Sequence, residues 1–383
     1  MKKLLNAILL VSGTAIGAGL IALPLTSVNL GMNVSVAIIF FMVFVAYKTS
    51  MMTIDLNAAN GKSASIVDLS RSISGEKAFI TSMISFYTLS FSLLSVYFSG
   101  IANTLSSFFN FNDNFIILIC GLVLFFVLSL KYSAFSKLNS VLVVSLLVII
   151  SSAIIQVHTK EAAIAPTTYY VPQSFSINEI IAFLPIIFTS FGVQNICPHV
   201  FESLNKDRKK IKIAFLIGIL IPALVYIVWN SCVFENVLAR DMFFFQKMQN
   251  HQISVGELIQ FLCKSSGSMY MEIFFKTLSL FAIITSAIGI GLGLKKSIEE
   301  SVTSSKYMAS GVVCAIPVVL CMAVPNAFIN ILSFGGMIAT VFVIFVPYYL
   351  LKKKLNRKMD FGDNLCVIFG GVVVLCELLG ILH

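Results

Sequence analysis

Long apolar runs alternate with short polar punctuation along this chain, and the runs set the expected elements. Crossing a hydrocarbon core of ~30 Å takes about 20 helical residues. Eleven stretches meet or approach that length: Leu4–Ser27, Val34–Ile54, Phe79–Leu105, Phe115–Leu130, Val141–Val157, Ile177–Phe201, Ile213–Val233, Ile273–Leu294, Met308–Val324, Ile329–Leu351 and Leu365–Leu382. Most connections between them are short. Two are long, Val157 to Ser176 and Glu235 to Tyr270, and the second contains VGELIQFL (Val255 to Leu262), apolar at near-helical spacing. That segment reads either as a helix lying on the membrane surface or as a lid over a cavity.

Two spans are interrupted. The first holds VSGTAIGAGLIALPL, Val11 to Leu25, with Gly13, Gly17, Gly19 and Pro24. Glycine costs about 1 kcal/mol relative to alanine inside a helix, and proline about 3. Backbone freed at membrane depth is tolerated only against protein or a wet cavity. The sixth span, IIAFLPIIFTSFGVQNICPHVF, is broken by Pro185, Gly192 and Pro198. Broken spans five apart, in opposite orientation, are the pattern of an inverted five-plus-five repeat with its site at the repeat interface. The expected architecture is an all-α polytopic membrane protein of about eleven transmembrane helices in one domain over 1–383. Repeat one covers about 4–157, repeat two about 177–351, and an accessory helix about 365–382.

Composition agrees with the pattern. Of 383 residues 58% are hydrophobic and 11% charged, and mean hydropathy is +0.96, whereas soluble domains carry roughly 25% charged residues. The net charge of +9 is not a nucleic-acid signal, because the basic residues cluster between apolar runs. With the N-terminus cytoplasmic, all 26 Lys and Arg except Lys160, Arg240, Lys247, Lys264 and Lys276 fall on cytoplasmic segments, which supports both the span count and an outward C-terminus. The opening MKKLLNAILLVSG also has the form of a signal peptide, but its apolar run is long enough to remain as an anchor. The eight cysteines form no CxxC pair, so neither a disulfide framework nor a zinc site is indicated.

Chemistry concentrates at the breaks. Gly13-Thr14-Ala15-Ile16-Gly17-Ala18-Gly19 contains a GxxxG, which alone marks close helix packing. With the matching break in span six, it also reads as an unwound segment whose open amides hold a carboxylate and whose free carbonyls hold an amine or cation. Thr14, Ala15, Gly17, Ala18 and Gly19 are therefore expected at a substrate site. Phe188-Thr189-Ser190-Phe191-Gly192 would add aromatic walls through Phe188 and Phe191, and a polar end through Thr189 and Ser190 beside Gly192. In span eight, Thr285 and Ser286 either bond their own backbone or join the carbonyls of Ala15 and Ile16 in a cage for a coupling cation. The neighbouring GxGxG is no phosphate loop, since no βαβ unit surrounds it. Ionisable residues inside the spans are few. Lys276 and Glu272 read as a snorkelling pair, Asp55, Glu202, His199 and Glu377 sit near span ends, and no buried carboxylate stands out as a proton carrier. No nucleophile, base or metal-ligand set suggests an enzyme, and no cofactor is called for. A channel would favour a ring of like polar residues over two broken helices.

GTAIGAGLIALP and FTSFGVQNICP resemble the paired motifs of the bacterial aromatic amino acid permeases, specific for tyrosine or tryptophan, within the amino acid–polyamine–organocation superfamily. The likeness extends over nearly the whole chain, including the long loop after span seven and the Thr-Ser pair of span eight. It implies the leucine-transporter fold, a bacterial inner-membrane location and proton-driven uptake of an aromatic amino acid, tyrosine foremost. Two positions depart from the family pattern. Val193-Gln194-Asn195 stands where Phe-His-Gly is usual, and Leu146 stands where some proton-coupled relatives carry lysine. Sodium therefore stays open beside the proton.

Overall fold

The computed structural model describes residues 2–17, 19–109, 112–130, 140–148, 150–151, 176–253, 255–265, 269–323, 328–355 and 359–381. Those residues are helices and their connections. The first span is two helices, α1 (Lys2–Ile16) and α2 (Gly19–Ser27), separated at Gly17, whose carbonyl accepts from Leu20 N–H at 3.2 Å. Chain direction thus breaks at the glycines. Pro24 lies inside α2 and does not end it.

The next elements are α3 (Gly31–Asn60), a short amphipathic α4 (Ile66–Ser74) capped by the Ser65 hydroxyl, α5 (Glu76–Phe109) and α6 (Asp113–Ser129). At 34 residues α5 runs about 50 Å, far beyond the hydrocarbon thickness. Helical residues 140–148 (α7) belong to the fifth expected span. Residues 150–151 of that span are also helical, and residues 149 and 152–175 lie outside the described residues.

The sixth span breaks where its composition demands. Helix α8 (Ile177–Ser190) ends at Phe191, a 3-10 turn covers Gln194–Ile196, and α9 (Cys197–Ser203) restarts with Pro198 in its first turn. Proline is preorganised there, because its missing N–H is one the helix start cannot use anyway. Helix α10 (Arg208–Arg240) is followed by α11 (Met242–Gln249) and α12 (Val255–Ser265), then α13 (Met269–Ser301) and α14 (Lys306–Ala323). The tenth span contains a feature that its composition does not announce. Helix α15 (Phe328–Thr340) widens into a π turn at Val341–Phe345 before α16 (Val346–Leu355), and α17 (Phe361–Ile381) completes the order. Among the described residues, eight helices are long and apolar enough to cross a membrane.

Small residues set the closest approaches. A Cβ on Gly218 of α10 would lie 2.6 Å from Val11 Cβ, and the Ser12 hydroxyl donates to Gly218 O at 3.1 Å. Helices α1 and α10 thereby meet closely at Gly218. A basic face gathers Lys48 with Asp360 (2.8 Å) and Asp363 (3.0 Å), Lys296 with Glu202 (3.4 Å), and Arg208 with Asp55. On the opposite face, Asn29 donates to Glu179 Oε1 (3.0 Å) and Gln249 O (2.7 Å), and His251 Nε2 lies 3.3 Å from Glu179 Oε2. The VGELIQFL stretch is α12, with Leu258 and Leu262 buried, and Phe261 stacks on Phe244 of α11 at 4.2 Å. Near the end of α17, Glu377 is buried and accepts from the Ser333 hydroxyl at 2.5 Å. The eight cysteines are unbridged and seven are buried, only Cys120 being partly exposed.

Candidate functional site

The two breaks meet in the middle of the bundle. Between them lies a cavity of about 30 Å³, bounded by Thr14 and Ala15 at the end of α1, and by Phe188, Thr189 and Ser190 at the end of α8. Gly192, Gln194 and Asn195 come from the second junction. Phe86, Ser90 and Tyr97 of α5, Ile290 of α13, and Phe342 and Val343 of the π turn are among the other residues of the walls. A π turn adds a residue to the helix and re-aims its side chains, and here it delivers Phe342 against Phe86, ring centroids 5.2 Å apart and edge-on. A space this size holds one or two waters, so the conformation is nearly closed around its centre.

The expected site residues separate into three groups. Thr14, Ala15, Phe188, Thr189, Ser190 and Gly192 line the cavity together. Gly17, Gly19 and Phe191 stand behind it. A Cβ at Gly17 would overlap the Ser286 side chain, one at Gly19 would lie 2.7 Å from Ser190 Cβ, and the Phe191 ring packs edge-on against Tyr226 at 5.5 Å. Ile16 is fully buried in α1, and Ala18 lies outside the described residues.

The four oxygen donors expected around a cation do not all converge. Thr285 donates to the carbonyls of Phe281 (2.9 Å) and Ala282 (3.0 Å) in its own helix, as hydroxyls in membrane helices commonly do. Ser286 does cross to α1, and reaches Gly13 O (3.2 Å) and Thr14 O (3.0 Å) rather than Ala15 or Ile16. The Ala15 carbonyl is taken by the hydroxyl of Tyr226.

Sequence reasoning missed Phe86, Ser90, Tyr97, Gln194, Asn195 and Phe342 of the cavity wall, and behind the wall it missed Tyr226. Tyr226 is fully buried on α10, bonds Ala15 O, and lies 3.5 Å from Ser190 O, so one hydroxyl sits between carbonyls near the ends of both half-helices. A tyrosine in the middle of an apolar span, away from the interfaces where tyrosine collects, is the signal that was available. On the basic face a separate pocket of about 540 Å³ is lined by residues that include His199, Glu202, Lys295, Lys296, Glu299 and Glu300.

Residues 1–382 match the tryptophan/tyrosine permease family. The chain belongs to that family. Among curated relatives, this permease is 23% identical to tyrosine-specific transport system 1 of Haemophilus influenzae over 96% of this chain and 94% of the relative. It is 24% identical to glutamine transporter 2 of Aliivibrio fischeri over 97% and 95%, and 23% identical to a tryptophan-specific transport protein of Pseudomonas aeruginosa over 99% and 93%. Its fold is that of solved transporters of the leucine-transporter type. A manganese transporter of Eremococcus coleocola superposes with a TM-score of 0.68 at 14% identity, covering 99% of this chain and 87% of that one. A Na⁺-coupled sialic acid symporter gives 0.58 at 11% identity, covering 99% and 90%. The permease is therefore a multi-pass membrane transporter with discontinuous first and sixth spans.

Proposed function

We propose that this permease imports an aromatic amino acid, tyrosine foremost, across the bacterial inner membrane by cation symport. The observation that carries the reading is the single cavity shared by both breaks. Thr14, Ala15 and the half-helix ends supply polar backbone, and Phe86, Phe188 and Phe342 supply an apolar aromatic wall. A zwitterion with an aromatic side chain needs that division. Curated relatives named for tyrosine and tryptophan weigh the substrate toward the aromatics, and the one named for glutamine marks the range to be tested.

In this reading the N-terminus and the basic face are cytoplasmic, the C-terminus is outside, and the two repeats run about 4–157 and 177–351. A zwitterion gains nothing from the membrane potential, whereas one co-transported cation gains about 2.3 kcal/mol per 100 mV. The resemblance implies a proton. Sodium is the second reading, favoured by three oxygens that come together at Gly13 O, Thr14 O and Ser286 Oγ.

Uptake of labelled tyrosine into proteoliposomes, with a proton or a sodium gradient imposed separately, tests both levels. Accumulation against the gradient, driven by one ion and abolished when that ion's gradient is collapsed, is expected. Sodium stimulation lost in Ser286→Ala would select sodium. Equilibration without accumulation would leave a passive pore.

A further inference from the structure

Gln194 and Asn195 occupy the second junction and line the cavity, and their amides are oriented by their partners. Gln194 is 6% exposed, and its Nε2 donates to Thr49 Oγ1 at 2.8 Å. The Thr49 proton is already committed to its own helix, at Val45 O (2.8 Å) and Ala46 O (3.2 Å). Thr49 thus offers Gln194 only a lone pair, and a reversed amide would set oxygen against oxygen. The same logic holds next door. Asn195 Nδ2 donates to Gly289 O at 3.4 Å, and a carbonyl can only accept. Both amide oxygens are therefore turned to face something other than these partners, and both are buried with no donor among the described residues.

Two residues that bound an aromatic-walled cavity thus carry buried acceptors with no donor among the described residues. Neither oxygen is open to water in this conformation, so donors, whether from waters or from a ligand, reach them only once the site opens. A ligand that displaces those waters must bring its own donor or leave the acceptors stranded, and a site built this way rejects analogues that lack the donor.

We infer that the Gln194–Asn195 amide pair reads the substrate's side chain, admitting amino acids that end in an O–H or N–H donor and excluding phenylalanine. This rests on the amino acid permease reading above, and deepens it by assigning the recognition to two residues. Phenol, indole and carboxamide side chains all meet the requirement, whereas a bare phenyl ring does not.

The test is competition against labelled tyrosine in proteoliposomes with the wild-type permease. Tryptophan and para-aminophenylalanine should compete strongly. Phenylalanine and para-fluorophenylalanine, the latter close to tyrosine in size but without a donor, should compete roughly 10-fold or more weakly. Gln194→Met, which keeps length and removes the acceptor, should collapse the tyrosine-to-phenylalanine preference. Asn195→Leu should narrow it independently, so misfolding of one variant leaves the other informative. Equal competition by phenylalanine and tyrosine in the wild type overturns the inference and leaves the proposed function standing. So does an equal loss for both substrates in Gln194→Met, because the acceptor would then serve the common ammonium group. If no aromatic amino acid is taken up by the wild type, both readings fall.

Discussion

Single side chains at the breaks decide how tightly the centre closes. A methyl group at Gly17 would stand 2.5 Å from Ser286 Cβ, so Gly17→Ala overfills a contact between α1 and α13. Overpacking of this kind costs typically 1–3 kcal/mol, and the expected outcome is a lower melting temperature of the purified permease together with lost tyrosine uptake. An unchanged melting temperature would contradict the contact. Tyr226→Phe keeps the ring against Phe191 and removes the hydroxyl from Ala15 O and Ser190 O. Leaving buried carbonyls without their donor costs about 1–3 kcal/mol, so uptake should fall by about 5-fold or more while the protein still inserts; wild-type rates would show that the hydroxyl does not hold the two half-helices in register. Local chemistry in the chain was enough to point at Thr14, Ala15, Phe188, Thr189, Ser190 and Gly192, because glycine, proline and hydroxyls at mid-span have few reasons to be there. Tyr226 was legible only as an oddly placed tyrosine, without what it bonds, and Thr49 was not legible. Their partners are 211 and 145 residues away, and no spacing rule reaches across such a distance.

At the level of helices, apolar length and basic punctuation were readable because the bilayer imposes both. The fine structure of the spans was less so. Glycine rather than Pro24 breaks the first span, since α2 begins at Gly19 and carries the proline within it. The π turn at Val341–Phe345 falls in a run of five apolar residues, where nothing in the composition distinguishes it from ordinary helix. The second long connection could be assigned a helical pattern at Val255 to Leu262, which is α12, but not the moorings of α11 before it. Those are polar and lie elsewhere: Asn29 after α2 and Glu179 at the start of α8 tie down Gln249 at the end of α11 and His251 just beyond it. Asn29→Ala removes two hydrogen bonds from this tie. At roughly 1 kcal/mol each, amide exchange across residues 242–251 should rise by about 5-fold or more. Exchange at the wild-type rate would mean that apolar packing alone seats α11 and α12.

Taken as a whole, the bundle leaves far more open volume on its basic face than at its centre, about 540 Å³ against about 30 Å³. The central space as it stands is too small for an aromatic amino acid, so under the proposed function its walls have to part during the cycle. The proposed orientation makes that basic face cytoplasmic, and it is open to a direct check. Lys62 is exposed near the basic face and Met242 is 54% exposed on the opposite one. With a membrane-impermeant maleimide on intact cells, Met242→Cys should label and Lys62→Cys should not; the reverse result would invert the topology. The native thiols make this experiment simple. Seven of the eight are sequestered inside the bundle and the eighth is only partly exposed. The natural protein is therefore already a low-background host for site-directed probes, and engineered labels can report the opening of either face without first stripping its own cysteines.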